Sequence, residues 1–136
     1  MCFMSSAAAK KNRPKYLNLR ALLFEIRLPL PGWISILHRI SGALLFVAMA
    51  GLLWMLDRSL ASEAAFDKIK LYAGLLPVKL VLLVLIWAYC HHFCAGIRHL
   101  FLDLDKGTEL ATARLTSAIS LGASLLLTGW LGAKLW

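Results

Sequence analysis

Three long runs of the chain contain no Asp, Glu, Lys or Arg: Ile40–Leu56, Leu80–Ile97 and Leu115–Ala133. A membrane-spanning helix needs about 20 mostly apolar residues, within a range of roughly 17–25. With their flanks included, all three runs meet that length, and they predict spans at about 33–56, 77–102 and 112–135. None of them has the polar stripe, repeating every 3.6 residues, that a helix of a soluble bundle shows to water. The expected fold is therefore an all-α membrane protein with three transmembrane helices, residues 33–135, preceded by a basic cytoplasmic or interfacial segment, residues 1–32. Within that segment Tyr16–Leu30 interleaves Leu, Phe and Ile with Arg20, Glu25 and Arg27, as a stretch lying among lipid headgroups does. Pro29, Pro31 and Gly32 are expected to break it, and Trp33 to sit at the interface. Residues 57–74 carry charges of both signs and read as a solvated connector with room for one helical turn. Pro77 suits a first helical turn, and Gly107 reads as the stop after Asp103. In the last span Ser120, Ser124, Thr128 and Gly132 recur every four residues, a small-residue stripe for close helix packing to which no chemistry is assigned.

A hydrophobic content of 60% and a mean hydropathy of +0.73 agree with that pattern. The net charge of +8 does not indicate nucleic acid, because Lys10, Lys11, Arg13, Lys15, Arg20 and Arg27 all precede the first span. A basic flank beside an apolar segment is accounted for by topology and by anionic lipid. Ten Lys and Arg fall on the N-terminal side of the predicted bundle (those six with Arg39, Arg98, Lys106 and Arg114). Five fall on the other: Arg58, Lys68, Lys70, Lys79 and Lys134. The positive-inside rule then places the N-terminus in the cytoplasm, with the chain a multi-pass protein of a bacterial inner membrane. The weakly apolar Met1–Ala9 precedes the basic cluster, the reverse of a cleavable signal. Cys90 and Cys94 are four apart, unlike a redox pair, and act as small apolar residues; Cys2 is uninformative.

Candidate chemistry lies in Ala88–His99, where His91 and His92 interrupt an otherwise apolar span. Ionisable side chains inside a membrane are functional candidates by default. On a helix His92, Gly96 and His99 share one face, and Ala95 and Gly96 leave that face nearly bare for a turn. Such a clearing beside an imidazole suits haem b: iron on His92, and propionates reaching His38, Arg39 and His99 near the aqueous edge. Only one good axial ligand stands at that depth, so a six-coordinate iron calls for a partner chain. Ser35, His38, Arg39 and Gly42 form a matching stripe on the first span, at the same end of the bundle. The Ser35 hydroxyl and Arg39 guanidinium suit a quinone headgroup, whose oxygens gain negative charge on reduction. Spacing leaves alternatives open. His91 rivals His92 as ligand, and either imidazole could simply hydrogen-bond across helices, as polar residues do in membrane bundles. A zinc site lacks the ligand spacing it needs.

Ser35-Ile36-Leu37-His38-Arg39-Ile40-Ser41-Gly42 resembles the first signature of the succinate dehydrogenase cytochrome b subunit, the larger membrane anchor of complex II. His92-Phe93-Cys94-Ala95-Gly96-Ile97-Arg98-His99-Leu100-Phe101-Leu102-Asp103 is similar to its second, and Arg13-Pro14 and Asn18-Leu19 resemble its N-terminal positions more loosely. The resemblance implies haem b with His92 as the axial iron ligand, the second ligand coming from a small membrane-anchor subunit in a heterodimeric bundle. It implies quinone contacts at Ser35 and Arg39, and haem propionate contacts at His38, Arg39 and His99. It also implies two further partners, an iron–sulfur subunit and an FAD flavoprotein, passing electrons from succinate to ubiquinone in the respiratory chain and tricarboxylic acid cycle. A fumarate reductase anchor uses the same parts in reverse, and a structural anchor without haem is the reading of another class. In many relatives the place of His91 is taken by Tyr or an apolar residue. The chain alone is expected to catalyse nothing, since it has no flavin or nicotinamide motif and too few cysteines for a cluster.

Overall fold

A computed structural model describes residues 28–136. Four helices follow one another: α1 (Leu30–Ala61), α2 (Glu63–Ala73), α3 (Leu76–Asp103) and α4 (Leu110–Ala133). Three of them, α1, α3 and α4, are long and apolar enough to cross a membrane. The N-terminal readings (the interfacial Tyr16–Leu30 segment, the absence of a signal, the Arg13-Pro14 resemblance) lie outside the described residues, apart from Leu28–Leu30.

Helix α1 is longer than its predicted span at both ends. It starts at Leu30, because Pro31 occupies the first turn, where no backbone N–H is needed, and Pro29 is the extended residue just before it. Pro31 and Gly32 thus lie inside the first turn of the helix, and the extended Pro29 stands just ahead of it. At the other end α1 continues through Asp57 and Arg58 to Ala61, with the basic Arg58 in its last turn, where it complements the helix dipole. The connector is also more ordered than its mixed charge suggests. Ser62 ends α1 in an extended conformation and its hydroxyl accepts from the Ala65 N–H at 3.2 Å, capping the eleven-residue α2. Glu63 in the first turn and Lys70 in the last suit the dipole of α2.

Helix α3 matches its predicted bounds to within a residue and has Pro77 in its first turn. Its C-terminal stop differs from expectation. Asp105 takes the left-handed conformation, φ 54°, and the Lys106 N–H returns to the Phe101 carbonyl at 3.0 Å. Gly107, φ 76°, turns the loop toward α4 two residues later. Asp is among the few residues with a side chain that enters this region readily.

Helix α3 lies in the middle and packs against α1 on one side and α4 on the other. The small-residue stripe of α4 is buried in that packing, extended toward the helix start by Ala113 and Ser117. Ser117 and Ser124 donate to carbonyls of their own helix, Ala113 and Leu121, so their hydroxyls need no partner across the seam. Large apolar side chains elsewhere, among them Phe46, Val47, Leu60 and Leu126, point outward. Lipid is the solvent for such a surface, and the core is correspondingly small and polar: Ser41, His91, Ser117 and Ser124 are among its most buried side chains.

Ser62→Ala is expected to cost α2 about 1 kcal/mol through loss of its cap. Hydrogen exchange in detergent should show faster exchange at the Ala65 and Phe66 amides, with the α3 amides unchanged.

Candidate functional site

At the end of the bundle where α1 begins and α3 ends, two sequence patterns meet head to tail. Helix α1 carries His38 and Gly42, and α3 carries His92 and Gly96, each a histidine followed four residues later by glycine. The helices are antiparallel, so each histidine faces the other helix's glycine. A Cβ on Gly96 would lie 3.5 Å from His38 Nε2, and a Cβ on Gly42 would lie 2.7 Å from His92 Cε1 and 3.1 Å from Nδ1. The second approach is closer than any side chain tolerates, so position 42 must be glycine for His92 to sit there. The two imidazoles stack with centroids 4.1 Å apart and planes within 6°, and His99 closes the group, tilted against His38 at 4.9 Å.

His92, Gly96 and His99 do share one face of α3, as their spacing predicts. The clearing at Gly96, however, is filled by the His38 ring, and Ala95 is wholly buried inside the bundle. No flat ligand lies on Gly96 without displacing His38. Open space borders His92 elsewhere. A groove of about 500 Å³ starts at His92, Tyr89 and Gly42 and runs along Leu45, Met49 and Leu53 to Leu56.

Hydrogen bonding fixes the chemistry of the His92 ring. Its Nδ1 is 3.0 Å from the His38 carbonyl oxygen and 3.4 Å from Ser41 Oγ, and Ser41 Oγ donates to that same carbonyl at 2.9 Å. A carbonyl only accepts, so Nδ1 carries the proton. Nε2 is then left with a lone pair, the tautomer required of a metal-ligating imidazole whose other nitrogen is held by a backbone carbonyl. The donor set therefore fits a haem iron at His92, with His38 and His99 beside it; the groove itself leads from His92 toward Leu56, away from those two rings. Ser41, fully buried and central to this network, is a positioning residue that pattern reading passed over. Its signal was its place three residues after His38.

His91 has different surroundings. It is fully buried, stacked on Trp87 at 5.5 Å, and borders none of the grooves described here. The Ile34 carbonyl of α1 is near, yet neither ring nitrogen makes a hydrogen bond of good geometry. Of the α1 stripe, His38 and Gly42 turn toward α3, Ser35 is half-buried and Arg39 is exposed. Cys90 and Cys94 are free thiols, the first buried and the second half-buried.

Residues 9–131 match the model of the succinate dehydrogenase/fumarate reductase transmembrane subunit family, a range that takes in the first two spans, all but the last two residues of the third, and both histidine–glycine pairs. The chain belongs to that family. Similar proteins include the succinate dehydrogenase cytochrome b556 subunits of Rickettsia typhi, Paracoccus denitrificans and Coxiella burnetii. The first is 35% identical over 95 residues, covering 70% of this chain and 73% of the relative. The second is 31% identical over 120 residues, 85% and 86% of the two chains. The third is 31% identical over 127 residues, 91% and 97%. As a transmembrane subunit of this family, the chain is the membrane-anchoring part of an oxidoreductase of the complex II type.

Gly42→Ala is expected to destabilise the α1–α3 pair by about 1–3 kcal/mol, the usual range for overpacking a filled site. Gly51 on the same helix meets nothing within 4 Å of an added Cβ. Gly51→Ala should therefore be neutral or slightly stabilising in the same thermal unfolding series in detergent.

Proposed function

We propose that this subunit holds haem b through His92 and forms part of a ubiquinone-reduction site with Ser35 and Arg39, in a succinate dehydrogenase. The observation that carries the reading is the Nδ1 hydrogen bond of His92 to the His38 carbonyl, which leaves Nε2 as a free donor beside an apolar groove. When bound, haem b supplies a one-electron carrier within the hydrocarbon layer. The protein's part is to orient and to neutralise. His38 and Ser41 fix the His92 ring, while Arg39, His38 and His99 stand at the aqueous edge as donors for the propionates. His91 is not the ligand in this reading, because burial against Trp87 gives it no space for a macrocycle.

The groove beside His92 is apolar, and a second helical chain would cover it and supply the further protein ligand to the haem. A small membrane-anchor subunit fills that role. An iron–sulfur subunit and an FAD flavoprotein subunit dock at the end bearing Arg39 and His99, which is cytoplasmic if the Lys and Arg distribution orients the chain. At that end the Ser35 hydroxyl donates to a quinone carbonyl oxygen and the Arg39 guanidinium stabilises the negative charge that reduction builds there. Arg39 is exposed and lies ten residues into α1, near its N-terminal end, so protons would reach the reduced headgroup from that side of the membrane.

Two measurements test this. In the purified complex, His92→Ala is expected to abolish the haem b bands of the dithionite-reduced optical spectrum, whereas His91→Ala keeps them. Bands retained in His92→Ala, or lost only in His91→Ala, would overturn the assignment. Arg39→Leu is expected to lower quinone reduction about 100-fold, as loss of a charge-stabilising donor does. Succinate oxidation with a soluble dye should persist, and equal loss of both activities would mean failed assembly.

A further inference from the structure

The flank of α3 that faces α4 carries a second polar feature with no part in the haem and quinone reading. Arg98 precedes His99 and so points about 100° away from it, into the α3–α4 seam. It is only 7% exposed, and its Nε donates to Thr116 Oγ1 of α4 at 3.3 Å. Among the described residues that is its one hydrogen bond, and it goes to a neutral group. One turn further along α4, Ser120 is 6% exposed and its hydroxyl has no hydrogen-bond partner. Arg98 and Ser120 line the same cavity of about 460 Å³, with Lys106 from the α3–α4 loop, while Ile97, Phe101, Ile119 and Ala123 make its wall apolar.

Each part of this cavity restricts what fits. A buried guanidinium without a counter-charge is unfavourable, so the occupant must bring an anion. The planar guanidinium matches phosphate with paired hydrogen bonds, and Lys106 adds a second cation toward water. A quinone headgroup is neutral and leaves the arginine uncompensated. Inorganic phosphate leaves the apolar wall bare. Asp103 and Asp105 belong to the same turn but do not line the cavity. Arg98 lies five residues inside the end of α3, about 7 Å along the axis, which is within reach of a headgroup drawn slightly inward.

We propose that the α3–α4 groove is a binding site for one anionic phospholipid, its phosphate held by Arg98 and Lys106 and one acyl chain lying along Ile97, Ile119 and Ala123. Ser120 is one helical turn deeper than Thr116, the depth of an acyl ester below its phosphate, and its hydroxyl donates to the ester carbonyl. The site lies across α3 from His92 and binds lipid whether or not haem is present.

The test is native mass spectrometry of the complex after delipidation and re-addition of phosphatidylglycerol or phosphatidylcholine. The wild-type complex should retain one phosphatidylglycerol and little phosphatidylcholine. Arg98→Gln and Ala123→Phe, the second filling the chain's path while keeping the cation, should each cut phosphatidylglycerol retention about tenfold or more. Arg58→Gln, at the far end of α1, should leave it unchanged. If Arg98→Gln does not assemble, Ala123→Phe and Lys106→Ala decide the matter. Equal retention of the two lipids, unchanged retention in Ala123→Phe, or a partner-subunit carboxylate found paired with Arg98 would overturn the site. Bound lipid is counted by mass, so a missing haem spectrum does not affect the result.

Discussion

Two imidazoles, each resting against a glycine of the opposite helix, hold α1 and α3 in register. Inside a bilayer, apolar side chains gain little by leaving lipid for one another, so helix association depends on close packing and on interhelical hydrogen bonds. The His38–Gly42 and His92–Gly96 pairs provide both. The glycines let the rings reach the backbone, and the His92 Nδ1 bond to the His38 carbonyl ties the helices at one point. That same bond selects the tautomer of His92. The contact that ties the helices is therefore also the one that leaves the Nε2 lone pair of His92 free.

The α3–α4 seam is built on other chemistry. There the close approach comes from serine, alanine and glycine, and the Ser117 and Ser124 hydroxyls turn back onto their own helix, so the seam carries few polar ties. One flank of α3 is thus organised by hydrogen-bonded rings and the other by small residues with a lone arginine among them. This difference separates the haem-binding face proposed for α3 from its lipid-binding one.

Much of this was legible in the amino-acid order. Charge-free runs with their flanks mark α3 and α4 to within two residues, because nothing but hydrocarbon tolerates so many apolar positions in series. The common face of His92, Gly96 and His99 follows from the helical period alone. What filled that face was not legible, since the occupant, His38, comes from 54 residues away and depends on the crossing of two helices. The different surroundings of His91 and His92 were hidden for the same reason: neighbours 100° apart differ only in what the other helices put against them. Helix α2 was missed because its opposing charges look like a loop, although Ser62, Glu63 and Lys70 stand where a cap and a dipole would have them. The length of α1 was underestimated because a charge-free window ends at Asp57, whereas a helix is free to continue into water.

That overrun has a bearing on depth. Arg39 and Arg58 are 19 residues apart on a single unbroken helix, about 28 Å along its axis, which nearly equals the ~30 Å hydrocarbon thickness of a bilayer. With one guanidinium near each end of the apolar stretch between them, a shift of α1 along the membrane normal in either direction draws a cation toward hydrocarbon, which is unfavourable. The His38 ring, one residue from the first of these cations, shares that restraint on its depth.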